Sequence, residues 1–195
     1  MHSHHLELND RRRHSTPRHP RDDNGVSCNV SHPATLPAVE LLRQCSETRT
    51  RRSGPGGQHR NKVETAIVLA HLPTGVTAEA AERRSQAENR SVAIARLRLK
   101  LAVEHREPAA APSPLWQSRC RGDRLAIAAT HADYPSLVAE ALDQLAATTG
   151  DPGTAASVLG ITPSQLVKLL AKAAAAWTAF SRLRAAHGRP PLNHG

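Results

Sequence analysis

Ser53-Gly54-Pro55-Gly56-Gly57-Gln58-His59-Arg60-Asn61-Lys62, running on into Val63-Glu64-Thr65-Ala66-Ile67-Val68-Leu69, decides how this chain is read. Glycine has no Cβ, so Gly56 and Gly57 reach torsions and close approaches that are barred to other residues. Gln58 is then presented at a tip, with Arg51, Arg52, Arg60 and Lys62 beside it to meet phosphate. Outward from the loop the pattern becomes extended. Glu47 to Arg52 reads as an edge strand leading in, and Thr65 to Leu72 as a β-branched and aliphatic run leading out. Pro73-Thr74-Gly75 is a turn before a further extended run, Val76 to Ala80, and together these predict a β-hairpin. Upstream, Leu36 to Gln44 predicts a short helix, with Pro37 in its first turn and Leu41-Leu42 facing a core.

A helix follows the hairpin. In Arg83-Arg84-Ser85-Gln86-Ala87-Glu88-Asn89-Arg90, Ser85 and Glu88 have the spacing of a capping box, each side chain serving the other's unpaired backbone N–H. Ile94, Leu97 and Leu101 make one apolar stripe, while Val92, Leu99 and Val103 make another on nearly the opposite side. One stripe covers the hairpin. The other needs a second partner, which the C-terminal part of the chain is expected to supply.

These motifs, in this order from Ser53 to about Leu101, resemble the catalytic domain of class I peptide chain release factors. They also resemble the compact ribosome-rescue proteins built on that domain. The resemblance implies hydrolysis of the ester that joins a nascent peptide to the 3′ end of tRNA, within the large ribosomal subunit. It implies Gly56, Gly57 and Gln58 as the catalytic residues, and Gln58 as a candidate for amide methylation by a glutamine methyltransferase. Arg51, Arg52, His59, Arg60, Asn61 and Lys62 would lie against rRNA or tRNA. Arg84, Gln86, Asn89 and Arg90 match the family's basic helix start, and their plainer reading is as cap and surface residues. No metal or other cofactor is implied. A release factor reads its codon with a domain ahead of the catalytic one, and about fifty residues precede the loop here. The expectation is therefore codon-independent action. The long basic C-terminal tail of the compact rescue proteins is replaced by an Ala/Leu-rich helical module.

Composition sets the wider bounds. The 195 residues carry a net charge of +9, which favours a polyanionic partner. Residues 36–107 hold 13 Lys and Arg against 8 Asp and Glu, so the excess gathers around the glycine loop. The four aromatic residues, Trp116, Tyr134, Trp177 and Phe180, all follow the motif region, which leaves residues 36–107 an aliphatic core. Cys28, Cys45 and Cys120 are odd in number and lack paired metal spacing, consistent with free thiols in a reducing cytoplasm. No apolar run approaches the roughly twenty residues needed to span a bilayer. A cytoplasmic monomer, without membrane contact, is expected.

The fold class expected is α+β, a small β-sheet with the Gly-Gly-Gln loop and a packed helix, then an all-α module. Residues 1–35 read as a disordered, His- and Arg-rich tail, 36–107 as the catalytic domain, and 108–133 as a linker with a short strand at Arg124 to Ala129. Residues 134–195 read as a helical bundle. Val138, Ala141, Leu142 and Leu145 share a face, and Gly150 is a stop. Gly160 then closes one helix, and Thr162-Pro163-Ser164-Gln165 opens the next with a second capping box. This stretch resembles the helix-turn-helix of the Fis-type DNA-binding domain. Its second helix starts without bases, however, so Lys168, Lys172, Arg182 and Arg184 are expected to touch RNA phosphates without reading sequence. The rival to hydrolysis is a non-enzymatic ribosome- or nucleic-acid-binding factor that uses this module. Catalysis by a nucleophile of this chain is set aside, because neither Cys45 nor Ser53 has an Asp/His pairing of catalytic form.

Overall fold

A computed structural model describes residues 31–50 and 65–192. A 3₁₀ turn at Pro33–Thr35 and helix α1 (Ala38–Arg43) lead into a three-stranded antiparallel sheet in the order β1-β2-β3. Its strands are β1 (Cys45–Thr50), β2 (Ala66–His71) and β3 (Thr77–Ala80). Helix α2 (Gln86–Glu104) follows, then α3 (Pro114–Arg119) and a two-residue-per-strand hairpin, β4 (Cys120–Arg121) with β5 (Arg124–Leu125). Four helices finish the chain: α4 (Tyr134–Ala147), α5 (Pro152–Leu159), α6 (Pro163–Ala171) and α7 (Ala174–Ala186). The result is a small antiparallel sheet with several helices.

The hairpin forms where the sequence places it. Gly75 takes φ +71 in the Pro73-Thr74-Gly75 turn, which closes with Gly75 N–H donating to His71 O at 2.8 Å. Strand β2 is central, and Ala66, Ile67 and Leu69 on it are buried. Strand β1 is exposed along almost its whole length, as an edge strand should be.

Helix α2 holds the two halves together. It packs on β2 and β3 with one side, and against α4 and α7 with another. The fully buried row on α2 is Asn89, Ala93, Leu97 and Leu101, one residue per turn. Each of the two leucines contributes about 1.5–3 kcal/mol relative to exposure. The predicted split into two opposed stripes is corrected in one respect. Ile94 is only half-buried, as are Val92, Leu99 and Val103, and the row that goes fully under is completed by Ala93 and Asn89. Basic residues on α2 reach to both sides. Arg96 Nη1 and Lys100 Nζ donate to Glu79 O and Thr77 O of β3, each at 2.8 Å. Arg98 donates to Ala34 O (3.0 Å), Ala132 O (3.2 Å) and Ser136 Oγ (3.3 Å), joining the N-terminal turn, the α4 approach and α4 itself.

Two boundaries move. Residues 31–35 belong to the packed structure, whereas residues 1–30 of the expected tail lie outside the described residues. His32 is buried, with Ala34 N–H donating to its Nδ1 at 3.1 Å and its Nε2 bonded to His105 O at 3.2 Å. Since a backbone N–H only donates, Nδ1 accepts and Nε2 carries the proton. Burial pushes this imidazole down to about 4, with the His105 carbonyl opposing that shift. The second change concerns residues 108–133, expected as a linker. They contain α3, which buries Trp116 completely, and the indole N–H donates to Leu159 O at the end of α5. The expected strand over 124–129 shrinks to Arg124–Leu125, although Ile127 stays buried beyond it.

The module from Tyr134 follows the predicted stops. Gly150 (φ +73) and Gly160 (φ +68) are left-handed, and Gly160 caps α5. Thr162 Oγ1 accepts from Gln165 N–H at 3.3 Å to start α6 behind Pro163. Arg184 departs from its expected role. It is buried, donating to Gly150 O (2.9 Å) and Pro190 O (2.7 Å), so it ties the α4–α5 turn to the C-terminal segment and is not offered to phosphate.

Candidate functional site at the stem of the glycine loop

Gly56, Gly57, Gln58, His59, Arg60, Asn61 and Lys62 lie outside the described residues, together with Arg51 and Arg52. The structure does position the stem that carries them. Strands β1 and β2 pair antiparallel up to Thr50 opposite Ala66, so the chain leaves the sheet and rejoins it at adjacent points.

Two neighbouring residues at the start of α2 hold this stem. Asn89 is fully buried. Its Oδ1 accepts from Arg83 N–H at 2.9 Å, and its Nδ2 donates to Thr65 O at 2.6 Å and Arg83 O at 3.0 Å. One carboxamide thus locks the residue at which the loop returns to the bend that precedes α2. Arg90 Nε donates to Glu47 Oε2 at 2.6 Å, tying α2 to the strand that leads outward. Asn89 therefore does not belong with the RNA-contacting residues. Its donors and acceptor are turned inward, where a buried amide without such partners would be costly. Arg90 keeps about half its side chain exposed while it pairs. Arg84 is exposed and Gln86 half-buried beside the cap, where Ser85 Oγ accepts from Glu88 N–H at 3.5 Å.

Sequence reasoning missed Glu47, Thr65 and Arg83 as parts of this stem. It also missed the Arg96–Glu82 pair (2.7 Å), which ties the same bend to α2 from a point further along the helix. Only Glu47 and Glu82 carried a usable signal, being acids in a basic region; a backbone carbonyl such as Thr65 O has none. A second buried imidazole besides His32, that of His71, sits at the far end of the sheet, paired with Cys45. Its Nε2–H donates to Gln44 Oε1 at 2.9 Å, and its Nδ1 accepts from Thr74 Oγ1 at 2.8 Å. Burial first, and then the nearby His105, lower its pKa. It is neutral, satisfied and five strand residues from the stem, roughly 17 Å. It serves the fold. Among the described residues no group of three or more His, Cys, Asp or Glu is placed to hold a metal ion. Cys45 and Cys120 are free thiols whose pKa burial raises, and Cys28 lies outside the described residues. Among the described residues no helix is long and apolar enough to cross a membrane.

The braced stem, the loop it carries and α2 all fall within residues 42–123, which match the RF-1 domain. That segment belongs to the RF-1 domain family. The RF-1 segment is similar to peptide chain release factor 2 of Acidovorax sp. (strain JS42), 42% identical over 73 residues, which is 36% of this chain and 20% of the relative. It is also similar to peptide chain release factor 1 of Acidiphilium cryptum (strain JF-5), 49% identical over 61 residues, 31% of this chain and 17% of the relative. The mouse protein "peptide chain release factor 1-like, mitochondrial" is 46% identical over 57 residues, 29% of this chain and 15% of the relative. The aligned part of the chain thus spans a fifth or less of the length of these relatives. Helices α4 to α7 lie beyond the RF-1 segment, which ends at the β4–β5 turn.

Proposed function

We propose that this protein is a release-factor-like hydrolase that cuts the ester of peptidyl-tRNA on the large ribosomal subunit, independently of a codon, in the cytoplasm. The observation that carries the reading is the unbroken Gly56-Gly57-Gln58 triplet inside an RF-1 segment whose stem is pinned to α2. In the reaction, water adds to the ester carbonyl and the acyl–oxygen bond breaks. The peptide leaves as a carboxylic acid, and the 3′ hydroxyl of tRNA takes up a proton. The protein supplies no nucleophile. The backbone N–H of Gln58 stabilises the developing oxyanion or the departing hydroxyl, its side chain shapes the water site, and the two glycines permit that approach. Losing one preorganised donor of this kind typically costs about 10²–10³ in rate.

The test measures release of labelled peptide from stalled ribosomal complexes by wild type, Gly57→Ala and Gln58→Ala. Gly57→Ala should lose at least about a hundredfold, and Gln58→Ala less, because its N–H survives. Equal rates for all three would end the hydrolase reading. Codon independence is checked by comparing complexes with a stop codon, a sense codon and no codon in the vacant site; equal release from each is expected. Mass spectrometry of protein isolated from its own cells should find Gln58 carrying one added methyl group. A second reading, a non-enzymatic ribosome or nucleic-acid binder, draws on the capped α5–turn–α6 unit. Ribosome pelleting without peptide release would favour it.

A further inference from the structure

The α5–turn–α6 unit has the form of a helix-turn-helix, yet Pro163, Ser164 and Gln165 give α6 no cation at its start. The fold supplies cations from elsewhere. In the β4–β5 hairpin Arg121 stands directly opposite Arg124, and both are exposed, while Leu125, pairing with Cys120, is turned into the core. The hairpin tip is fastened to the first turn of α6, since Thr162 N–H donates to Asp123 O at 3.2 Å. The strand then follows α6, and Lys172 Nζ near the end of that helix donates to Ile127 O. Segment 123–127 thus runs along α6. Arg121 and Arg124 are held beside the helix, and Lys168 is exposed on it between the two fastenings.

Two features mark this surface as one that awaits an anion. Like charges placed directly opposite on paired strands repel, and an anion seated between them removes that repulsion. Arg121 Nη1 donates to Ser118 O and Cys120 O, at 3.2 and 3.0 Å, which anchors one side of the guanidinium and leaves the group on the surface. Glu140 lies near Cys120 and Asp133 pairs with Arg119 on the α3 side of the hairpin, whereas the stretch that carries α5 to α7 has no acid at all. From Pro152 to Gly195 the sequence has no Asp or Glu against five Lys and Arg. On the hairpin itself the opposing charge is Asp123, at the tip.

We infer that Arg121, Arg124 and Lys168 form a docking surface for the sugar–phosphate backbone of a structured RNA, separate from the loop stem. Nothing on it is arranged to read bases, so it adds affinity and orientation and not sequence choice. The choice of RNA as the source of the phosphates, and of ribosomal RNA in particular, rests on the hydrolase reading above; binding to a phosphate backbone does not, and the test separates them.

Full-length protein is titrated with a labelled RNA hairpin and with a DNA duplex of the same sequence, across a range of salt concentrations. The variants are Arg121→Ala/Arg124→Ala, Lys168→Ala, and Arg43→Ala, an exposed base on α1, as the control. For RNA, the double variant should flatten the slope of log K against log[salt] by about 1.4–1.8, near 0.7–0.9 for each lost phosphate contact, and Lys168→Ala by about half of that. Arg43→Ala should bind as wild type does. An unchanged slope in both basic variants overturns the surface, and tighter binding of DNA than RNA overturns the choice of partner. Unaltered thermal unfolding checks that the exposed substitutions leave the fold intact. A failed release assay with intact RNA binding would count against hydrolysis alone.

Discussion

Asn89 accepts one hydrogen bond and donates two, all to backbone groups, and it does so without touching solvent. Asn89→Ala removes the partner of up to three backbone groups at about 1–3 kcal/mol for each one left buried and unpaired. We expect a loss of about 2–4 kcal/mol in urea unfolding, and slower peptide release where ribosome pelleting is unchanged. Asn89→Asp should not rescue either property, since a carboxylate cannot donate and would be a buried charge. Arg90→Ala should cost less, about 0–1 kcal/mol, because its pair with Glu47 is half in water. The importance of this stretch was legible in the sequence, but its chemistry was misassigned. A polar residue in a first helical turn has no periodic signature that tells the buried face from the wet one. Arg184 is the same case at the other end of the chain, read as a phosphate contact and found holding Gly150 O and Pro190 O.

Among elements, Gly150 and Gly160, two of the three left-handed glycines described in the helical module, provide the sharpest contrast. A Cβ on Gly150 would lie 3.1 Å from Arg184 Cα and 3.2 Å from Leu183 Cδ2, whereas one on Gly160 would meet nothing within 4 Å. Both substitutions carry the left-handed penalty of about 1–2 kcal/mol. Gly150→Ala adds a clash with the α7 backbone, so its urea midpoint should fall clearly further than that of Gly160→Ala. Equal losses would mean that α7 yields at this contact. These stops were readable in advance, as were the hairpin, α2 and the cap of α6, because their turn residues and periodicities are local. Residues 108–133 were not. Helix α3 is six residues long, and what fixes it is Trp116 reaching Leu159 O, a partner 43 positions away. The strand expected over 124–129 is two residues long because its partner β4 begins at Cys120, directly after α3 ends at Arg119, so no extended chain stands opposite residue 126.

For the whole molecule, the RF-1 segment and the helical module share one hydrophobic core that runs from Leu41 and Ile67 through Leu97 and Leu101 to Leu142 and Phe180. The predicted second partner for α2 is thus present as α4 and α7. A fragment of residues 31–123 would present to water the α2 surface that α4 and α7 cover. We expect it to lack the single cooperative thermal transition of the full chain and to be cut rapidly by protease within α2. A sharp, protease-resistant transition in the fragment would make the module a separate attachment. There is a consequence for biosynthesis in the placement of α2. Its last residue, Glu104, is made thirty residues before Tyr134 opens α4. A nascent chain therefore carries the glycine loop into the cell well before the beam behind it has its second support. Arg98 can clasp Ser136 only after that later stretch has emerged. The bracing of α2 is thus timed by the emergence of α4 and not by its own synthesis.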